Sequence, residues 1–388
     1  MRILIVNGHL HVGGVEKSLI NLLRSLDYTK YQVDLLLVED LGDYLNEVPK
    51  AVRIIYRDLK PTYGAFFDVL ARAAREGRWD TFSHKLSLTI AAKKDKRALR
   101  MLLPRELRQE YDAAIAYRVG LPLDLVAYAV RAKKKLAWWH HGEFDYPAAT
   151  VKTWHRGFEQ MDRIVCVSDS VRKMITPNFP GLENRMCVVP NMIIPEEIRA
   201  AAEAFQPYAG VQGKTILVSV GRMSEEKHMM VTVYAMRELK RRGIDNLVWY
   251  LVGDGVQRPA IEQRIRDYGL QDCFVLTGNL ANPYPYMKNA DLFVHPSQVE
   301  SQGICVLEAM ALHNKCVVVR SSGIEEFSVD GRNALLAEQT IESLCDGIER
   351  ALRLEKESGL EDGQEIAVKR YSPDTVVSEF NRLLREMV

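Results

Sequence analysis

Short apolar runs alternate with helical patterns along this chain, and the alternation comes in two series. The first series is Arg2–Val6, Val33–Val38, Ala113–Tyr117, Lys135–His140 and Ile164–Ser168. The second is Thr215–Val220, Leu247–Val252, Cys273–Thr277, Asp291–His295 and Cys316–Arg320. Runs that are apolar at successive positions read as strands buried on both faces, and the intervening helices supply the cover. Each series therefore predicts a parallel, doubly wound α/β domain of Rossmann-like type. Two domains also suit 388 residues, more than one ordinary core serves. The break falls near "VVPNMIIPEEIRAAAEAFQPYAGVQGK", where Pro190, Pro195, Pro207, Gly210 and Gly213 interrupt regular structure. We place one domain at 1–195, a second at 196–370 and a closing helix at 371–388, with Ser372, Pro373 and Asp374 at its start.

Composition narrows the class. Apolar residues make up 47% and charged residues 27%, as expected of a soluble globular chain. No apolar run is long enough to span a bilayer, and the opening MRILIV enters the first strand rather than a signal peptide. Six scattered cysteines without a C-x-x-C pair argue against a zinc site or disulfide framework and suit a reducing cytoplasm. The net charge of +1 hides an asymmetry. Residues 1–195 hold 30 Lys and Arg against 22 Asp and Glu, whereas residues 196–388 hold 22 against 29. A basic half can meet an anionic partner, namely membrane lipid, a phosphorylated acceptor or nucleic acid; drift in surface charge explains it equally well. Within it, residues 83–109 interleave Lys93, Lys94, Lys96, Arg97, Arg100, Arg105 and Arg108 with leucines. They read as an interfacial helix for anionic lipid or, slightly better, as a solvated helix packed on the sheet.

Five stretches carry chemistry. In "NGHLHVGGVEKSLINLL", Gly13 and Gly14 sit between a strand and a helix start suited to phosphate, though a tight turn explains them alone. There is no G-x-G-x-x-G, which counts against a nicotinamide dehydrogenase. In "VSVGRMSEEK", Arg222 and Lys227 follow Gly221 at the C-terminal end of a strand, where α/β sheets bind ligands; the pair suits a diphosphate. After "VLTG", backbone groups around Asn279 and Leu280 could read the edge of a base, while Gly253 and Gly255 read as turn-makers. In "HPSQVESQGICVLEAMA", Gly303 and the following amides form a helix start suited to an anion. Carboxylates repel phosphate, so Glu300 and Glu308 fit sugar hydroxyls instead, the layout of a nucleotide sugar. In "KKKLAWWHHGEFDY", a strand delivers His140 and His141, of which one at most faces inward.

These stretches, in this order, resemble glycosyltransferase family 4, the retaining group 1 transferases of bacterial cell-surface polysaccharide type. The resemblance spans almost the whole chain and is carried by GGVEKSLINLL, WHHGEF, VVPN, VGRMSEEK, LVGDG, HPSQVESQGICVLEAMA and EEFSVDGRNALL. It implies the GT-B fold, two Rossmann-like domains facing each other across a cleft, the first on the acceptor side and the second binding the nucleotide sugar. The closing helix would return to the first domain. Gly13 and Gly14 would lie by the donor diphosphate. Arg222, Lys227 and the amides of Gly303, Ile304 and Cys305 would neutralise it. Glu308 would hold the ribose and Glu300 the transferred sugar. His141 matches the W-x-H-G pattern better than His140, and Glu326 falls in a later acidic motif of structural role. Ser301-Gln302 replaces the common Gly-Phe and so bears on which sugar fits; Ala334 replaces a glycine.

The implied reaction moves a sugar from a nucleotide diphosphate, UDP in our reading, to a glycan or lipid-linked acceptor, without cofactor, metal or nucleic acid. No Asp-x-Asp is present to hold a cation. Retention by front-side attack needs no carboxylate nucleophile. The expected location is the cytoplasm or the inner face of the plasma membrane, with residues 93–108 as the lipid contact. A nucleotide-sugar epimerase of the same fold and an inactive nucleotide-sugar-binding subunit are the rival readings.

Overall fold

A computed structural model describes residues 1–59, 71, 75, 99–100, 103–211, 213–354 and 360–386. Most of the basic segment 83–109 lies outside these residues. The chain divides into two compact units, Met1–Pro190 with Val377–Val388, and Asn191–Val376.

Among its described residues the first unit holds seven strands: β1 (Arg2–Asn7), β2 (Gln32–Leu37), β3 (Arg53–Tyr56), β4 (Glu110–Ala116), β5 (Arg131–Trp139), β6 (Arg163–Cys166) and β7 (Met186–Val188). They pair in parallel in the order β3-β2-β1-β4-β5-β6-β7. The order reverses between β1 and β4, the arrangement that right-handed crossovers give when the chain winds first one way and then the other. The closing helix, Pro373–Glu386, runs into this unit. There Phe380 is fully buried, its ring 6.1 Å from that of Trp138, and Tyr31 Oη donates to Asn381 Oδ1 at 2.7 Å.

The second unit holds β8 (Thr215–Val220), β9 (Leu247–Val252), β10 (Phe274–Gly278), β11 (Leu292–His295), β12 (Cys316–Val319) and β13 (Leu335–Ala337), all parallel, in the order β10-β9-β8-β11-β12-β13. Alternate residues of one strand feed opposite cores. Leu217, Val294 and Val317 join one apolar cluster, and Val218, Phe293 and Val318 the other. This is the two-faced burial that continuous apolar strands require. Ser219 fastens the middle of the sheet: its hydroxyl donates to Val294 O at 2.6 Å and accepts from Trp249 Nε1 at 3.1 Å.

Strands β3, β7 and β13 are absent from the sequence reading. Each has only three or four residues, and β3 is largely exposed, so none produces a period.

Candidate functional site

The order of the second sheet reverses between β8 and β11, so their C-terminal ends open side by side, where doubly wound sheets bind ligands. The loop leaving β8 carries Gly221, Arg222 and Lys227, and the loop leaving β11 carries Glu300 and Gly303. Lys227 and Glu300, 73 positions apart in sequence, are thereby neighbours.

The first loop is held by backbone. Gly221 N–H donates to Val252 O at 3.0 Å, Met223 N–H to Asp254 O at 2.9 Å and Gln257 N–H to Met223 O at 2.9 Å. Gly253 has φ of 139°, and a Cβ there would lie 2.0 Å from Gly221 O; one at Gly255 would lie 2.4 Å from Met223 O. These glycines therefore do more than turn the chain: they admit the loop that carries Arg222. Ser297, fully buried, lies 3.2 Å from Glu226 O and 3.0 Å from Val299 O, joining the two loops.

At their meeting point Lys227 Nζ donates to Glu300 Oε1 at 2.7 Å, and His295 Nε2 reaches the same oxygen at 2.9 Å. The other imidazole nitrogen, Nδ1, is 3.5 Å from Cys305 Sγ. Burial opposes every charge here, yet the partners outweigh it. Lys227 and His295 hold the Glu300 carboxyl at about 2. The Cys305 sulfur and the Glu300 carboxylate push His295 up to about 10, and Glu300 foremost raises Lys227. The cluster at neutral pH is thus one carboxylate between two cations. Oε2 of Glu300 accepts no hydrogen bond from the described residues.

Gly303 caps the helix Ile304–Ala311 in the left-handed region, φ 76°, and a Cβ there would lie 2.2 Å from Ile324 Cδ1. The N–H groups of Ile304 and Cys305 lie in the first turn, without an intrahelical acceptor. Glu308, one turn in and buried, accepts from Tyr284 Oη at 2.7 Å. Arg222 is exposed, with its guanidinium 3.9 Å from Glu226 Oε1. Asn279 is exposed beyond β10, and Leu280 packs with Ile304 and Cys305 against the core.

Gln302 points away from solvent. It is 1% exposed, accepts from Asn191 N–H at 2.7 Å and donates to Asn191 O at 2.8 Å. The residue singled out for sugar choice is a clamp on backbone at the start of its unit. Beside it, a Cβ at Gly323 would lie 2.4 Å from Glu300 O, so the backbone of the carboxylate loop is close-packed as well.

In the first unit, Gly13 is the extended cap of the helix Gly14–Ser25, and a Cβ there would lie 2.4 Å from Glu16 Oε2. His140 and His141 lie just past β5. His140 is buried against the ring of Tyr117, centroids 4.8 Å apart, and burial pushes it down to about 3. His141 is half-buried between Trp139 and Tyr146; burial, then the charge of Arg118, lowers it too. Among the described residues no group of His, Cys, Asp and Glu is arranged to hold a metal ion, and no helix is long and apolar enough to cross a membrane.

The sequence reading missed His295 and Tyr284, which hold the two glutamates. The signal for His295 was a polar residue closing an apolar strand. For Tyr284 there was none, because its partner lies 24 positions away.

Known proteins match both halves. The family "Glycosyltransferase Family 4" matches residues 12–197, and "Glycosyl transferases group 1" matches residues 201–362. Alpha-D-kanosaminyltransferase of Streptomyces kanamyceticus is 32% identical over 37% of this chain and 38% of its own length. Alpha-monoglucosyldiacylglycerol synthase of Streptococcus pneumoniae is 28% identical over 42% of this chain and 38% of its own. The chain thus spans under two fifths of the length of these relatives. Among solved structures, Anabaena HepE in complex with UDP-glucose superposes with a TM-score of 0.74 at 18% identity, covering 100% of both chains. S. aureus TarM gives 0.73 at 14% identity, covering 99% of each. The fold is GT-B, and the chain is related through one half each to the two glycosyltransferase families.

Proposed function

We propose that this GT-B chain is a retaining glycosyltransferase that moves a sugar from a UDP-linked donor to a glycan or lipid-linked acceptor in cell-surface polysaccharide synthesis. The observation that carries the reading is the Glu300 cluster. Two cations neutralise one oxygen of a buried carboxylate and leave the other open, at the N-terminus of a helix. Such a site suits a ligand with anionic groups beside hydroxyls.

Breaking the sugar–phosphate bond develops negative charge on the departing diphosphate. Lys227, Arg222 and the amides of Gly303, Ile304 and Cys305 would stabilise that charge, in surroundings that need little reorganisation. Glu300 Oε2 would accept from a hydroxyl of the transferred sugar. Glu308, oriented by Tyr284, would accept from the ribose, and backbone around Gly221, Asn279 and Leu280 would flank the nucleotide. In the first unit, the resemblance gives Gly13 and Gly14 to the diphosphate and His141 to the sugar. The leaving phosphate would take the acceptor's proton, so no side-chain nucleophile is required.

A thermal-shift panel of UDP, GDP and ADP, free and sugar-linked, tests the donor. A ligand at about 100 times its Kd stabilises by about 2.7 kcal/mol. UDP and one UDP-sugar are expected to shift the wild type and not the Glu308→Ala protein; no shift by any nucleotide refutes the reading.

The charge of residues 1–195 and the segment 93–108 support peripheral binding to an anionic membrane at its cytoplasmic face. Flotation with phosphatidylglycerol vesicles at low salt checks this, and protein left at the bottom of the gradient refutes it.

A further inference from the structure

His295 is a buried ionisable group to which the donor-site reading gives no contact with the donor. It closes β11, is 1% exposed, and has both ring nitrogens engaged, Nε2 with Glu300 Oε1 at 2.9 Å and Nδ1 with Cys305 Sγ at 3.5 Å. Its ring lies nearly parallel to that of Phe293, at 8°. It has no room to leave. Lys227 differs: its side chain is 28% exposed on a loop, at the end of a flexible stem.

The two cations therefore have different futures when a diphosphate arrives. The ammonium of Lys227 is drawn toward the phosphate oxygens, which weakens its bond to Glu300. A buried carboxylate that loses its partners is driven to take up a proton or turn toward water. Either change removes Oε2 as an acceptor placed for a sugar hydroxyl.

We propose that His295 is a positioning residue: it keeps Glu300 Oε1 anchored while Lys227 turns to the donor diphosphate, so that Oε2 stays aimed at the transferred sugar. This inference rests on the donor-site reading above. The pinned imidazole would serve the carboxylate, and the mobile lysine the phosphate.

Two variants separate this role from simple packing. His295→Leu removes the donor but keeps an apolar filler. His295→Gln offers an amide N–H at about the reach of Nε2. UDP affinity is measured by calorimetry, and turnover as UDP release from UDP-glucose, UDP-galactose or UDP-N-acetylglucosamine, whichever the wild type uses fastest. His295→Leu is expected to keep UDP affinity within about threefold and to lose about tenfold or more in turnover, with His295→Gln recovering about a third. Undiminished turnover in the leucine variant, UDP affinity lost in step with turnover, or a glutamine variant no better than leucine would overturn the proposal. A crystal structure of the ligand-free Lys227→Met protein supplies an arm that needs no donor. Glu300 Oε1 is expected to stay within hydrogen-bond distance of His295 Nε2, and a carboxylate turned away overturns the anchor. If the wild type binds no UDP and releases none, the donor-site reading fails, and the Lys227→Met structure alone decides whether His295 holds Glu300.

Discussion

Gln302→Leu should unfold the second unit early without changing which sugar is handled. Both polar atoms of the Gln302 side chain bond the backbone of Asn191, at 2.7 and 2.8 Å, and both residues are buried. Removing the partner of a buried backbone group costs about 1–3 kcal/mol, so the two together cost about 2–6 kcal/mol. For a domain the size of Asn191–Val376, each kcal/mol lowers Tm by about 2–4 °C, giving a fall of about 4–24 °C. Gln302→Glu keeps the acceptor for Asn191 N–H but sets a carboxylate oxygen against Asn191 O. It should be at least as damaging although it is nearly isosteric. Differential scanning calorimetry of wild type and both variants reads the shift, and competition among UDP-sugars reads selectivity. A Tm change under about 2 °C, or a new rank order among sugars, would refute the clamp and return Gln302 to the role of sugar selector.

Other consequences are as direct. Glu308→Gln should weaken UDP binding by about tenfold or more in calorimetry, and Tyr284→Phe by less, since it removes only the bond that orients Glu308. Gly253→Ala should lower stability well beyond the cost at Gly269→Ala, about 1 kcal/mol. Both glycines have positive φ, but only Gly253 faces a backbone atom, Gly221 O. Thermal unfolding compares them, and equal shifts would show that the Arg222 loop is not held there. The cluster also sets a pH dependence. His295 is held at about 10, above its unfolded value, so its contribution is full below about pH 6.5 and is lost as pH rises through 10, with a ceiling of about 1.4 kcal/mol per unit. Glu300, held at about 2, contributes above about pH 4.5 and loses that as pH falls through 2. Urea unfolding at pH 7 and 9.5 should therefore show a smaller loss for His295→Leu than for wild type.

The sheets were legible because their strands are buried on both faces. Thr215–Val220 and Leu247–Val252 carry no alternation that a solvent face would impose, and the structure puts both in the middle of a sheet. The ends were less legible. His140 and Arg320 continue their runs in composition, but the ladders stop at Trp139 and Val319, because pairing depends on the neighbouring strand's length and not on local residue type. The short strand Leu335–Ala337 exists only because β12 offers an edge beside it, which no local pattern encodes.

The site divides along the same line. Glu300, Gly303 and Glu308 share one loop and helix start, so their spacing could be read directly. What the spacing could not show was the state of Glu300, since its partner Lys227 reaches it only because β8 and β11 are neighbours. Two adjacent cations change the meaning of that carboxylate. Alone in a buried loop it would be protonated and a poor acceptor; between Lys227 and His295 it stays ionised, with one oxygen anchored and one open. Gln302 shows the converse. Its place between the motif residues suggested contact with the sugar, yet a side chain beside a site serves the site only if it faces it. Here the loop turns Gln302 inward to Asn191, so the sequence departure from Phe at that position acts through the backbone of the loop that presents Glu300.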